Sequence, residues 1–398
     1  MAIRTLDDLA AADAAVGVRV DFNSPLTGDG TLADDARLRA HVDTLDELVE
    51  RGARVAVLAH QGRPGGEDFT RLEAHAERLG ELLDADVSYC DGTFCTDARQ
   101  AVQGLDAGEV VVLENTRFYS EEYMEFEPER AAETHLVEGL APALDAYVND
   151  AFAAAHRSQP SLVGFPERLP AYAGRVMERE LDVLGRIEET PTPRVYVVGG
   201  AKVPDSVTVA EHALANGLAE RVLVTGVVAN VFLAADGVDV GRASTEFIHD
   251  QGYETEIERA ADLLAEYGDR IQLPLDVAVE RDGERVELSV SELPPGRDEA
   301  VMDVGSDTVD AYADVLADAG TAVLNGPAGV FEDETFADGT RGVFAAAANA
   351  EYSIVGGGDT AAAIRKFGLT GFSHTSTGGG AALRLLTGES LPAVEALR

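Results

Sequence analysis

The chain has no tryptophan, only two cysteines and four methionines among its 398 residues, and its lysines are confined to Lys202 and Lys366. Each scarcity closes a class of answer. Cys90 and Cys95 are spaced neither as a zinc knuckle nor as a redox Cys-x-x-Cys pair; they read as two reduced thiols, in keeping with a cytosolic location. No apolar run reaches the roughly 20 residues that span a bilayer, and Met1-Ala2-Ile3-Arg4 leads into an acidic, helix-like segment and not a signal peptide. Positive charge is scarce as well: 31 basic residues face 72 acidic ones, a net charge of -41. Such a chain repels nucleic acid. It is not a disordered polyanion, because hydrophobic residues make up 45% of it and recur periodically. A carboxylate-rich surface with little lysine suits a protein dissolved in concentrated salt, where a Debye length of about 3 Å at 1 M blunts self-repulsion. The Gly-x-Ser-x-Gly elbow, the His-Glu-x-x-His metal helix and the P-loop are all absent.

What is present is a rhythm of short apolar runs and amphipathic segments, in a chain long enough for two domains. Residues 16–22, 54–59, 110–113 and 146–148 read as strands, and 35–50 and 71–83 as helices. Around 160–192 prolines punctuate the chain and bracket a helix over about 174–189, a plausible inter-domain connector. The pattern restarts with strand 195–198, helix 203–216, strand 222–224 and helix 227–235. A hairpin follows over 279–286, then strands 322–324 and 352–355. Strands this apolar, alternating with helices, predict α/β domains with parallel sheets covered on both faces.

The two halves carry different chemistry. In the first, Arg37, Arg63, Arg117 and Arg157 are read as following strand ends, where α/β folds bind ligands; guanidinium forks suit a small phosphorylated acid. Asp21 and Asn23 sit on one side of an extended chain and either grip such an acid or form a turn. His60, beside Gln61, Gly62 and Arg63, fits a structural or a binding role. In the second half, glycine clusters at 199–200, 356–358 and 378–380 follow strands and open helices, which places backbone amides where phosphate binds. Asp359 either caps its helix or holds magnesium. Lys202, a compact charge in an arginine-rich chain, suits a phosphate contact. Together these halves describe a candidate phosphotransferase.

The ordered motifs closely resemble those of the phosphoglycerate kinase family. They are Val20-Asp21-Phe22-Asn23-Ser24-Pro25-Leu26, His60-Gln61-Gly62-Arg63-Pro64, Glu114-Asn115-Thr116-Arg117-Phe118, Val148-Asn149-Asp150-Ala151-Phe152, Gly199-Gly200-Ala201-Lys202-Val203, Leu273-Pro274-Leu275-Asp276, Asn325 to Glu332, Gly356 to Thr360, and Ser376-Thr377-Gly378-Gly379-Gly380. The resemblance implies two Rossmann-like three-layer domains joined by a hinge helix. The first is an acid-binding domain, 1–172, to which the tail 381–398 returns; the second is a nucleotide-binding domain, 173–380. It implies reversible in-line phosphoryl transfer from 1,3-bisphosphoglycerate to ADP, with hinge closure, by a cytoplasmic monomer that binds neither nucleic acid nor membrane. Asp21, Asn23, Arg37, His60, Gln61, Gly62, Arg63, Arg117 and Arg157 would hold the acid. Gly200, Ala201, Lys202, Asn325, Glu332, Gly357, Gly358, Asp359 and Thr360 would hold the nucleotide, with Asp359 on Mg2+. Arg37, Lys202, Gly357, Gly379 and Gly380 would act on the transferring phosphoryl group. Four positions depart from the common pattern: Ser206 stands where many members carry a second lysine, Leu324 where tryptophan is common, and Gln61 and Thr116 where leucine is common. On the residues alone, a kinase for another carboxylic acid and a non-catalytic nucleotide-binding protein stay open.

Overall fold

The computed structural model describes residues 3–398 apart from Asp29 and Thr377, so Thr377 of the last motif lies outside the described residues. The chain divides into two compact units, Met1–Asp182 with Ser390–Arg398, and Val183–Glu389. The passage from one to the other thus falls ten residues beyond the expected boundary, and the segment that rejoins the first unit starts at Ser390 and not at 381.

The first unit is built on β1 (Ala15–Arg19), β2 (Arg54–Leu58), β3 (Val87–Cys90), β4 (Val110–Leu113), β5 (Ala146–Asn149) and β6 (Ala171–Ala173). They form one parallel sheet in the order β3-β4-β2-β1-β5-β6. Every residue of β1, β4 and β5 is buried, so both sheet faces are covered, as their unbroken apolar runs require. One core cluster packs Val16, Val18, Val55, Val57, Val110 and Val112 against Leu38, Leu45 and Leu48. Those leucines come from two helices where one was expected. α1 (Ala36–Ala40) and α2 (Val42–Glu50) meet at His41, whose ring is held between two buried partners.

α3 (Arg175–Leu184) realises the proline-bracketed helix, with a separate 3-10 turn at Ile187–Glu189. It contains the 182/183 passage between units. The Asp150 carboxylate, just past β5, caps its first turn by accepting the Val176 and Met177 amides at 2.8 and 3.3 Å.

The second unit contains β7 (Arg194–Val198), β8 (Arg221–Val224), β9 (Ile271–Gln272), β10 (Asp276–Arg281), β11 (Glu284–Ser289), β12 (Val301–Val304), β13 (Thr321–Asn325), β14 (Tyr352–Gly356) and β15 (His374–Thr375). Six form a second parallel sheet, β15-β14-β13-β7-β8-β9. The expected hairpin is β10–β11; Asp282 and Gly283 both have positive φ, 53° and 83°, which suits a tight two-residue turn. Sequence reading missed β12, which pairs with β10 to make a separate antiparallel sheet of three strands. α4 (Val203–Ala215), α5 (Gly226–Ala235), α6 (Gly358–Phe367) and α7 (Gly380–Leu386) begin at the glycine-rich strand exits.

Leu324 sits in β13 with no exposed surface, packed in the cluster that includes Val195, Val197 and Val355. Leu324→Ala should lower the stability of this unit by about 2–5 kcal/mol through lost burial and the cavity left behind, read as a lower urea midpoint. An unchanged midpoint would show that the site collapses around the smaller side chain.

Candidate active site

In the first unit, β1, β2, β4 and β5 end side by side: Arg19 pairs in register with both Leu58 and Asn149. The loops leaving these ends therefore cluster. Asp21 and Asn23 follow β1, His60 to Arg63 follow β2, Arg117 follows β4 and Arg157 follows β5. Arg37 does not leave a strand end, contrary to expectation. It projects from α1 and pairs with the buried Asp21 carboxylate.

Sequence reading also missed Arg19. Its side chain is fully buried; Nε donates to Ser161 Oγ at 2.9 Å, and Nη2 lies 2.9 Å from His60 Nδ1. Ser161 is in turn held by the buried Glu122 carboxylate through its hydroxyl and its amide, both at 2.7 Å. The visible signal was a charge inside a strand whose neighbours are all apolar. A guanidinium can only donate, so Nδ1 of His60 accepts and Nε2 carries the proton. Burial, then Arg19, Arg117, Arg157 and Arg37, hold this imidazole well below its ordinary range. His60 is therefore a neutral donor.

The arginines also depress one another. Burial and then Arg157 and Arg19 bring Arg117 down to about 10, with Arg63 adding to the effect. Arg157 is lowered by burial, then by Arg63 and Arg19. Arg63 itself is exposed. Like charges gathered this closely in a chain of net charge -41 form a basin that an anion would relieve. Its frame is specific. Asn23 Oδ1 accepts the Gly62 amide at 2.8 Å, and the Gly62 carbonyl accepts Arg117 Nη1 at 2.7 Å. Gly62 has φ +65°, and a Cβ there would lie 2.5 Å from the Asp68 backbone. The side chain of Gln61 is occupied within the unit by Ser24, Asp68 and His75.

In the second unit, Gly199, Thr225–Gly226 and Gly326–Pro327 pack backbone against backbone. Gly200 donates to the Pro327 carbonyl at 2.8 Å, and Gly226 to that of Ala328 at 2.9 Å. A Cβ on Gly326, whose φ is +93°, would lie 2.1 Å from the Gly199 oxygen. These close approaches shape two adjoining hollows that share Gly200, Ala201, Pro327 and Asp359. One, of about 270 Å³, has largely apolar walls including Val277, Val301 and Phe331, with Glu332 and Asn230 on its border. The other, of about 120 Å³, is lined by Lys202, Asn325, Gly357, Gly358, Thr360 and Gly379, with Gly380 beside them.

The groups of the smaller hollow are interlocked. Lys202 Nζ lies 3.0 Å from Asp359 Oδ2, and both side chains are exposed. Asp359 makes no capping bond; the helix α6 begins after Gly357, whose φ is +89°. Thr360 Oγ1 accepts the Gly326 amide at 2.8 Å, which leaves its own hydrogen free to donate. Ser206 supplies no charge in place of the missing lysine. It is buried, donates to the Gly199 carbonyl at 2.9 Å and accepts from Asn325 at 3.2 Å, and so braces the loop. Lys202 is the only cation among the described residues lining this hollow.

A family profile described as phosphoglycerate kinase matches residues 6–389. The phosphoglycerate kinase of Halobacterium salinarum is 76% identical over 398 residues, covering 100% of both chains. That of Natronomonas pharaonis is 65% identical, again over 100% of both. Among solved structures, the phosphoglycerate kinase of Pyrococcus horikoshii superposes with a TM-score of 0.92 at 43% identity, covering 99% of this chain and 98% of its own.

Two buried imidazoles give the fold an acid limit. Burial lowers His75 to about 4, and His60 is also held low. The unfolded chain binds protons below about pH 6.5 that the folded chain refuses, so stability is full above that pH and falls as pH drops. His75 alone should account for about 2 kcal/mol between pH 6.5 and pH 5. The urea midpoint should therefore fall from pH 7 to pH 5, and fall less in His75→Gln. Equal falls in the two proteins would refute the assignment.

Proposed function

Because the chain belongs to the phosphoglycerate kinase family and transfers a phosphoryl group reversibly from 1,3-bisphosphoglycerate to ADP, giving 3-phosphoglycerate and ATP, we propose that the arginine basin holds the acid and the glycine-walled hollows hold the nucleotide. Asp21, Asn23, Arg37, His60, Gln61, Gly62, Arg63, Arg117 and Arg157 then form the acid site, with Arg19 fixing the His60 tautomer beneath them. The held guanidiniums of Arg117 and Arg157, with the exposed fork of Arg63, suit a phosphate dianion, and His60 Nε2–H adds a neutral donor. Gln61 contributes through its place in the loop, since its amide group is already bonded. The larger hollow takes the base and ribose, with Glu332 at its border. Gly200, Ala201, Lys202, Asn325, Gly357, Gly358, Asp359 and Thr360 take the phosphates.

The reaction needs no general base in the direction that phosphorylates the acid, because a carboxylate is already ionised at neutral pH. What it needs is offset repulsion between two anions and a collinear path for the phosphorus. In this reading Arg37, Lys202 and the amides at Gly357, Gly379 and Gly380 receive the charge of the moving phosphoryl group. Hinge closure, as the family resemblance implies, keeps water from competing.

Asp359 is a single exposed carboxylate already paired with a cation, and no cluster of three or more potential ligand side chains occurs among the described residues. That donor set fits a Mg2+ that arrives on the nucleotide and keeps phosphate and water oxygens. Bound there, Mg2+ would neutralise phosphate charge. No helix among the described residues is long and apolar enough to cross a membrane; the reading is completed by a cytoplasmic monomer without nucleic-acid partners.

The observation that carries the proposal is the crowding of arginines around His60 in so acidic a chain. Steady-state phosphorylation of 3-phosphoglycerate by MgATP in molar potassium chloride, alongside a panel of other carboxylic acids, tests it. Arg37→Ala should lose roughly 10²–10³ in turnover, by analogy with the removal of one oxyanion donor. Near-normal turnover would remove Arg37 from the reaction.

A further inference from the structure

His41 stands where α1 ends and α2 begins, and it is 3% exposed. Its Nε2 accepts the Asp21 amide at 3.0 Å. The ring proton is therefore on Nδ1, which donates to Asp150 Oδ2 at 2.6 Å. Asp150 has no exposed surface; its other oxygen caps α3 through the Val176 and Met177 amides. The same first turn is tied to α2 a second time. The Arg175 amide donates to Thr44 Oγ1 at 2.9 Å, and its guanidinium grips Glu47 with bonds of 2.7 and 2.8 Å. Gly174 just before it has no room for a side chain, since a Cβ would fall 2.2 Å from Asp150 Oδ1.

One imidazole thus lies between the acid basin and the helix in which the chain passes to its second unit. On the basin side Asp21 pairs with Arg37, so an anion that draws Arg37 away alters the group whose backbone His41 holds. On the other side His41, Asp150 and Thr44 are buried and every link is hydrogen-bonded, and close-packed groups of this kind transmit displacement with little slack. We infer that His41 is a positioning residue for phosphoryl transfer: through Asp21 on one nitrogen and Asp150 on the other, it ties occupancy of the acid basin to the order of the first turn of α3. This rests on the reading of Asp21 and Arg37 as acid-binding groups. It asks of His41 more than filling a buried polar position, because a filler would support both substrates alike.

Hydrogen exchange of the Val176 and Met177 amides, with and without saturating 3-phosphoglycerate, tests the link in the unaltered protein. The acid should slow that exchange by about 10-fold, within the usual range of coupling between sites. Two half-replacements separate the nitrogens. His41→Asn keeps a donor near Nδ1 and loses the acceptor for Asp21. It should raise the KM for 3-phosphoglycerate about 10-fold and leave the KM for ATP unchanged. His41→Gln keeps an acceptor near Nε2 and loses the donor to Asp150. It should retain the KM for the acid while the acid no longer slows exchange in α3. Exchange that ignores the acid in the unaltered protein overturns the proposal, as does an equal rise of both KM values in the variants. Calorimetry separates the two readings: if 3-phosphoglycerate does not bind the unaltered protein, the basin assignment falls and the relay with it. If it binds and α3 does not respond, only the relay falls.

Discussion

Repulsion among gathered guanidiniums, two of them buried, is the constraint on which the first unit depends. Arg19 at the end of β1 and Arg117 and Arg157 on the segments that follow β4 and β5 are brought together by a sheet whose register is fixed by fully buried strands. Burial first, and then the nearness of Arg157 and Arg19, pulls Arg117 down to about 10. The unit tolerates the cost because each arginine has a bonded frame: Ser161 and Glu122 beneath Arg19, the Gly62 carbonyl beside Arg117, and His156 beside Arg157. The frame fixes the direction of the charges, and an incoming phosphate meets a field that needs no further reorganisation.

The second unit solves the opposite problem. In the proposed reading its smaller hollow approaches a polyanion with one lining cation among the described residues, Lys202, and otherwise with backbone. Gly199, Gly226 and Gly326 let three loops stack at distances that a methyl group would forbid, and Ser206 and Thr360 lock the stack with neutral hydrogen bonds. Rigid amides replace charge as the source of attraction.

The α/β architecture was legible in the sequence because every central strand is a short unbroken apolar run, and the glycine-rich exits were legible because glycine has few other uses there. Three features were not. Arg19 stands in sequence as a charge at the end of an apolar strand, but only the tertiary pairing with His60 and Ser161 shows what its burial serves. The break at His41 carries no proline or glycine; its ring is held by Asp21 and by Asp150, the latter more than a hundred residues away. Strand β12 is only four residues long with Asp303 interrupting its apolar run, and it is held by pairing with β10. The placement of Arg37 on α1 was missed for a related reason: helix 35–50 was seen, but not that its first turns face the strand ends. The amphipathic pattern gives the face of a helix and not its destination.

The exposed pair of Lys202 and Asp359 has a bearing on reversibility. Each group already has a partner of opposite sign before any ligand arrives. In the proposed site, nucleotide entry would exchange one ionic partner for another instead of satisfying two bare charges, and departure would restore the original couple. An exchange of this kind has a small net driving force in either sense.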